Sequence, residues 1–118
     1  GGFTVLVGRN NTQNEHITHK LADKNDYWFH VKGQPGSHAV MITDGREPEV
    51  GDFTQAARLA ALYSSASDGA NVAVDYTKVR NLRKTAGSKP GFVIYHTNWT
   101  AYVTPDREEA QRLRRTKK

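Results

Sequence analysis

The residues best able to do chemistry in this 118-residue chain lie close together: Asp26-Tyr27-Trp28-Phe29-His30, followed by Pro35-Gly36-Ser37-His38. An extended segment alternates its side chains, so Asp26, Trp28 and His30 share one face while Tyr27 and Phe29 share the other. The first face lines up an acid, an indole and an imidazole. An aromatic platform with polar neighbours can stack a nucleobase, worth about 1–3 kcal/mol per base. His and Asp can hydrogen-bond base edges or the 2′-hydroxyls that distinguish RNA from DNA. The plainer alternative makes Trp28 a core residue and Asp26 a turn acceptor. Two other chemistries use the same histidines. His16 and His19 are three apart on an expected helix and, with His30 and His38, could supply imidazoles to zinc. Histidine acid–base catalysis, with Lys20 stabilising phosphate charge, is the other. Neither spacing matches a metal or catalytic motif, so the expectation is no metal, no cofactor and no catalytic residue.

Arg9-Asn10-Asn11 falls between an expected strand and an expected helix, where free backbone N–H groups and amide donors, Asn14 among them, favour phosphate. Ordinary capping is the alternative for at least one of these asparagines. The electrostatic part lies further on. Residues 1–58 hold 6 Lys/Arg against 7 Asp/Glu, whereas residues 59–118 hold 11 against 5. No acid occurs between Asp75 and Asp106, while Lys78, Arg80, Arg83, Lys84 and Lys89 do. A one-sided field of this kind attracts and steers polyanions.

The elements that must position these residues can be read from pattern. Phe3–Val7 is a β-branched, apolar strand. Thr12 to Glu15 has capping-box spacing, which predicts a helix of about ten residues through Ile17, Leu21 and Ala22. Tyr27–Val31 and Ser37–Thr43 read as strands around the Gly33-Gln34-Pro35-Gly36 turn. Asp52 is placed to cap a helix whose Phe53, Ala56, Ala57, Ala60 and Tyr63 share one face. Val72–Thr77 alternates as a half-exposed strand. Phe92–His96 and Trp99–Val103 flank Thr97-Asn98 as a hairpin. Thr104-Pro105 predicts a last helix, with acids near its start and arginines near its end. The expected fold is α+β, a mainly antiparallel mixed sheet of about six strands with two to three helices packed on it.

Composition narrows the class. The chain has one domain's length and no cysteine, which excludes disulfide frameworks, thiolate zinc sites and cysteine nucleophiles. No apolar run approaches the ~20 residues that span a bilayer, and no charged-then-apolar leader stands out, so membrane insertion is not expected. The opening inside a strand-like run suggests a domain cut from a longer protein.

Taken together, Gly8-Arg9-Asn10-Asn11, Asn14, Asp26-Tyr27-Trp28-Phe29-His30, Pro35-Gly36-Ser37-His38, Ala56-Ala57, Tyr63-Ser64, Val74-Asp75-Tyr76 and Lys89-Pro90-Gly91 resemble the NFACT-R domain. The resemblance runs from about Phe3 to Val103, with the motifs in order. It implies a single non-enzymatic domain spanning residues 1–118, the carboxy-terminal part of a larger multidomain protein whose other domains are partners. It also implies RNA binding in ribosome-associated quality control, in the cytoplasm. Bacterial full-length members bind tRNA and the obstructed large ribosomal subunit and direct alanine tailing of the stalled chain. The family's Asp-x-Trp-x-His segment falls on Asp26, Trp28 and His30. Arg80-Asn81-Leu82-Arg83-Lys84-Thr85 is looser than the family's Lys-Lys-Pro-rich version. The expected RNA-binding residues are Arg9, Asn10, Asn11, Asn14, Asp26, Trp28, His30, His38, Lys78, Arg80, Arg83, Lys84 and Lys89. The alternative that the resemblance carries is a surface adhesin binding fibronectin or fibrinogen in a Gram-positive bacterium, reaching the cell surface without a signal peptide.

Overall fold

A computed structural model describes residues 2–84, 87, 93–96 and 98–116, with the backbone alone for residues 113–116. Five strands form one sheet: β1 (Thr4–Val7), β2 (Tyr27–Val31), β3 (Ala39–Ile42), β4 (Val72–Lys78) and β5 (Trp99–Val103). Their order is β1-β3-β2-β4-β5, and every neighbouring pair is antiparallel. The α+β architecture agrees with the sequence pattern; the strand count among the described residues is five rather than six. Among the described residues, Val93–His96 forms no ladder. Ile94 instead makes one isolated bridge with Arg83, N–H to O in both directions at 2.8 Å. Val93 and Tyr95 turn their side chains onto the sheet. Phe92 and Thr97 of the expected hairpin lie outside the described residues.

One face is closed by helix α2 (Val50–Leu62). Ala56, Ala57, Ala60 and Ala61 are all buried, and these short side chains let the helix axis approach the sheet. Tyr27, Phe29, Val31, Ala39, Met41, Val72 and Val74 meet them from the strands. Phe53 places its ring edge-on to Tyr27 at 4.8 Å and lies against Tyr76 at 5.3 Å. The helix begins earlier than Asp52: Glu49 is the cap, and Asp52 sits in the first turn with Oδ2 accepting from Glu49 N–H at 2.8 Å. Proline at 48 and the acid at 49 moved the start by three residues, because Asp52 serves equally well as the reciprocal partner of a capping box.

Helix α1 (Asn11–His16) and the π turn Ile17–Leu21 that continues it cover part of the other face. The cap is Asn10 rather than Thr12: its side chain accepts from Gln13 N–H at 2.8 Å. The π turn closes with Ala22 N–H on Ile17 C=O at 2.9 Å. Ile17, Trp28, Val40 and Leu82 form the small apolar cluster beneath it. Helix α3 (Arg107–Thr116) is capped by Asp106, whose Oδ1 accepts from the N–H groups of Glu108 and Glu109 at 3.0 and 3.1 Å, not by Thr104.

Candidate nucleic-acid interface

The face away from α2 is polar, aromatic and still buried at its centre. In register, Trp28 lies between Val40 and Thr77, and His30 beside Asp75, which is itself opposite Thr100. β4 is therefore not half-exposed: Asp75 is 3% and Thr77 0% exposed. Asp75 can be buried because its oxygens are occupied. Tyr95 O–H donates to Oδ2 at 2.7 Å, Thr100 O–H donates to Oδ1 at 2.8 Å, and Lys32 Nζ stands 3.9 Å away. Burial, and then the hydrogen bond to Asp75 and its negative charge, push the Tyr95 phenol far above its ordinary value.

Trp28 sits at the centre of this face. The His30 ring lies parallel to it, 3° between planes and 5.7 Å between centroids. His38 meets it edge-on at 5.2 Å and Tyr95 is tilted over it at 5.0 Å. The indole is only 1% exposed, so the open stacking platform expected at Trp28 is instead a buried wall. Its Nε1–H is buried and has no hydrogen-bond partner among the described residues. His30 remains half-buried, and that burial lowers its pKa, keeping the ring neutral at physiological pH.

Several expected contact residues are positioning residues. Asp26 is 2% exposed; Oδ2 accepts from Asp23 N–H at 2.8 Å, and Oδ1 from Thr43 N–H at 3.0 Å and Thr43 O–H at 3.2 Å. Its carboxylate therefore ties the start of β2 to the end of β3 and presents no free edge to a base. Asn14 is 4% exposed, and its Oδ1 accepts from His38 N–H at 3.0 Å. Gly8 N–H donates to His38 C=O at 3.0 Å, and a Cβ on Gly8 would stand 2.2 Å from Asn14 Oδ1. Only glycine fits. Thr18 Oγ1 and His38 Nδ1 are hydrogen-bonded at 2.8 Å. The Gly-Arg-Asn-Asn and Pro-Gly-Ser-His motifs, distant in sequence, are thus one interlock that sets the His38 ring against Trp28.

The cations divide between two places. A cleft of about 500 Å³ is bordered by His19, Lys24, Arg80 and Arg83, with Thr18 and Leu82 also lining it, and among the described residues no carboxylate does. The turn after β4 builds it: Val79 N–H donates to Asp26 C=O at 2.9 Å and Arg80 N–H to Lys24 C=O at 3.1 Å. Arg80 also reaches the Asn25 side chain, and Arg83 donates to the Arg80 and Leu82 carbonyls, both neutral partners. Arg9 is elsewhere. Its guanidinium lies over the Tyr63 ring at 4.8 Å, lining a second cleft with Arg107 near α3. Asn10 and Asn11 are exposed beside Arg9, but Asn10 spends its oxygen on the cap. Lys78 leans over Tyr27 on the α2 side, and Lys84 is ion-paired with Glu15. Lys89 lies outside the described residues. Sequence reasoning weighed His19 only as a zinc ligand and missed Lys24, both in a net-acidic half of the chain, and Tyr95, whose bond to Asp75 has no sequence signal. Among the described residues no group of three or more metal-binding side chains gathers, and Lys20 lines neither cleft.

Residues 1–97 match the family described as NFACT protein RNA binding domain. This chain belongs to that family. Its NFACT-R sequence is 44% identical over 115 residues to the Rqc2 homolog RqcH of Bacillus subtilis (strain 168), covering 98% of this chain and 20% of that protein. The Rqc2 homolog RqcH of Streptococcus suis (strain 05ZYH33) is 43% identical over 114 residues, with 97% and 20% covered. The chain thus spans only 20% of the length of these relatives. A solved structure, the C-terminal part of the fibronectin/fibrinogen-binding protein from Streptococcus suis, superposes with a TM-score of 0.90 at 43% identity. That similarity covers 95% of this chain and 45% of the other. No helix among the described residues is long and apolar enough to cross a membrane.

Proposed function

We propose that this NFACT-R domain binds RNA as part of a cytoplasmic ribosome-associated quality-control factor, contacting tRNA, the obstructed large ribosomal subunit or both during alanine tailing of a stalled chain. The observation that carries the reading is the cleft bordered by His19, Lys24, Arg80 and Arg83, with no carboxylate among its described lining residues. Phosphate contacts of this kind supply most sequence-independent affinity and make it salt-dependent. In this reading the domain positions RNA for the larger protein, carries out no reaction of its own and needs no cofactor. The name of the Streptococcus suis structure favours a second reading, an adhesin domain for fibronectin or fibrinogen at the cell surface.

Fluorescence anisotropy of labelled tRNA across ~50–200 mM salt separates the two. Saturable, salt-graded binding that prefers tRNA to duplex DNA and survives added fibronectin is the expected result. Tight fibronectin binding with no tRNA binding would overturn it.

A further inference from the structure

The sheet has two outer edges, and the sequence treats them differently. Just before β1, the Arg46 guanidinium lies over the Phe3 ring at 4.1 Å and donates to Gly2 C=O at 3.3 Å. A charge placed at a sheet edge guards it against pairing with another chain. β5 carries no such guard among the described residues. Asn98 to Thr104 contains no charged residue, and Trp99 and Tyr102 are 51% and 70% exposed.

The register shows which backbone groups this edge presents. Lys32 N–H donates to Ala73 C=O at 3.0 Å, and Val79 N–H to Asp26 C=O at 2.9 Å. Ala73, Asp75 and Thr77 therefore turn their backbone groups to β2, and Val72, Val74 and Tyr76 turn theirs to β5. Val103, Ala101 and Trp99 answer those three. The N–H and C=O groups of Thr100 and Tyr102 are left pointing outward, and no described residue bonds them.

We propose that a second copy of this chain pairs with that edge, β5 antiparallel to β5, about a two-fold axis at Ala101. The occupant follows from symmetry. Thr100 and Tyr102 flank Ala101, so Thr100 of each copy exchanges N–H···O bonds with Tyr102 of the other. On the α2 side the same register sets Trp99 beside Val103 of the other copy, an aromatic with a β-branched neighbour. The neutral strand lets two copies meet although each carries a net charge of +5. A single pair of five-residue strands is a small interface, so the dimer is weak and forms at high concentration.

Sedimentation equilibrium between about 1 µM and about 1 mM, a span suited to a weak interface, should show a reversible monomer–dimer equilibrium. Added salt should tighten it by screening the like net charges, the opposite sign to RNA binding. Residue-resolved amide exchange gives the specific readout. The Thr100 and Tyr102 amides should slow severalfold at high concentration, while Ala101 and Val103, already bonded to β4, change far less. Tyr102→Pro removes an outward donor at a position where an edge strand tolerates proline. It should abolish the dimer and keep the urea midpoint of the dilute chain; if it fails to fold, the exchange pattern decides. A chain that stays monomeric throughout would overturn the proposal. So would a dimer whose Thr100 and Tyr102 amides exchange as in the monomer. Slowing of those amides only on adding tRNA would assign the edge to RNA and overturn it as well.

Discussion

On one side of the sheet, four alanines of α2 press against Phe29, Val31, Met41 and Val74. On the other side the same strands bury Thr77, Asp75, Trp28 and His38 beneath a short helix, a π turn and the irregular Val93–Tyr95 segment. Both sides exclude water at their centres, but by different means. The helix-covered side is close-packed hydrocarbon with little left to satisfy. The polar side is held by hydrogen bonds, and among the described residues one buried donor, Trp28 Nε1–H, has no partner. Fully satisfied polar groups specify a fold, whereas an unsatisfied one marks a place where a partner has something to gain. The cations follow this division only in part: Arg80 and Arg83 border the polar side, while Lys78 and Arg9 are drawn to tyrosine rings elsewhere.

The comparison can be broken most forcefully at its two largest buried rings. Phe29→Ala and Trp28→Ala should each lower the unfolding free energy by about 3–5 kcal/mol, read by urea titration. A loss below about 1 kcal/mol at Trp28 would mean that the polar side has no core of its own. Next in size is Asp26→Ala, which strips the acceptor from the N–H groups of Asp23 and Thr43 and from the Thr43 hydroxyl. The expected cost is about 2–3 kcal/mol in stability, with tRNA affinity unchanged once the folded fraction is accounted for. A stable Asp26→Ala domain that fails to bind tRNA would return Asp26 to the interface.

The alternation of Tyr27–Val31 was legible because period-2 patterning at a central strand has few alternatives, and it sorted Trp28 and Phe29 onto opposite faces correctly. The alanine face of α2 was legible for the same reason at period 3.6. Which face would be open was not. Trp28 reads identically whether covered or bare, and its cover comes from Tyr95 and His38, 67 and 10 positions away in the numbering. Helix starts were misplaced where a second residue able to cap stands just upstream, Glu49 before Asp52 and Asn10 before Thr12. Charge runs showed where cations are dense in sequence, yet β4 parity sends Lys78 to the α2 side while the turn after it brings Arg80 to Lys24.

The smallest expected effect is on pH. Burial lowers the His30 pKa, so the folded state resists its protonation and the unfolded state does not. Its contribution to stability is complete above the ordinary histidine value of 6.5 and declines as pH falls below it toward the folded value. Urea midpoints of wild type and His30→Gln between pH 7.5 and pH 5 should therefore converge on acidification, about 2.5 pH units being enough to protonate an ordinary histidine. Parallel curves would show that His30 is not held neutral by its surroundings.

The most direct test of the division sets charge loss on one side against equal charge loss on the other. Arg80→Gln with Arg83→Gln removes two cations from the polar side, and Arg46→Gln with Arg58→Gln removes two that lie over Phe3 and against Glu109. Net charge falls equally in both. The salt dependence of tRNA binding should lose about 1.5 units of slope in the first variant, at ~0.7–0.9 per phosphate contact, and stay at the wild-type slope in the second. Equal losses in the two variants, or a loss confined to the second, would contradict an RNA interface on the polar face.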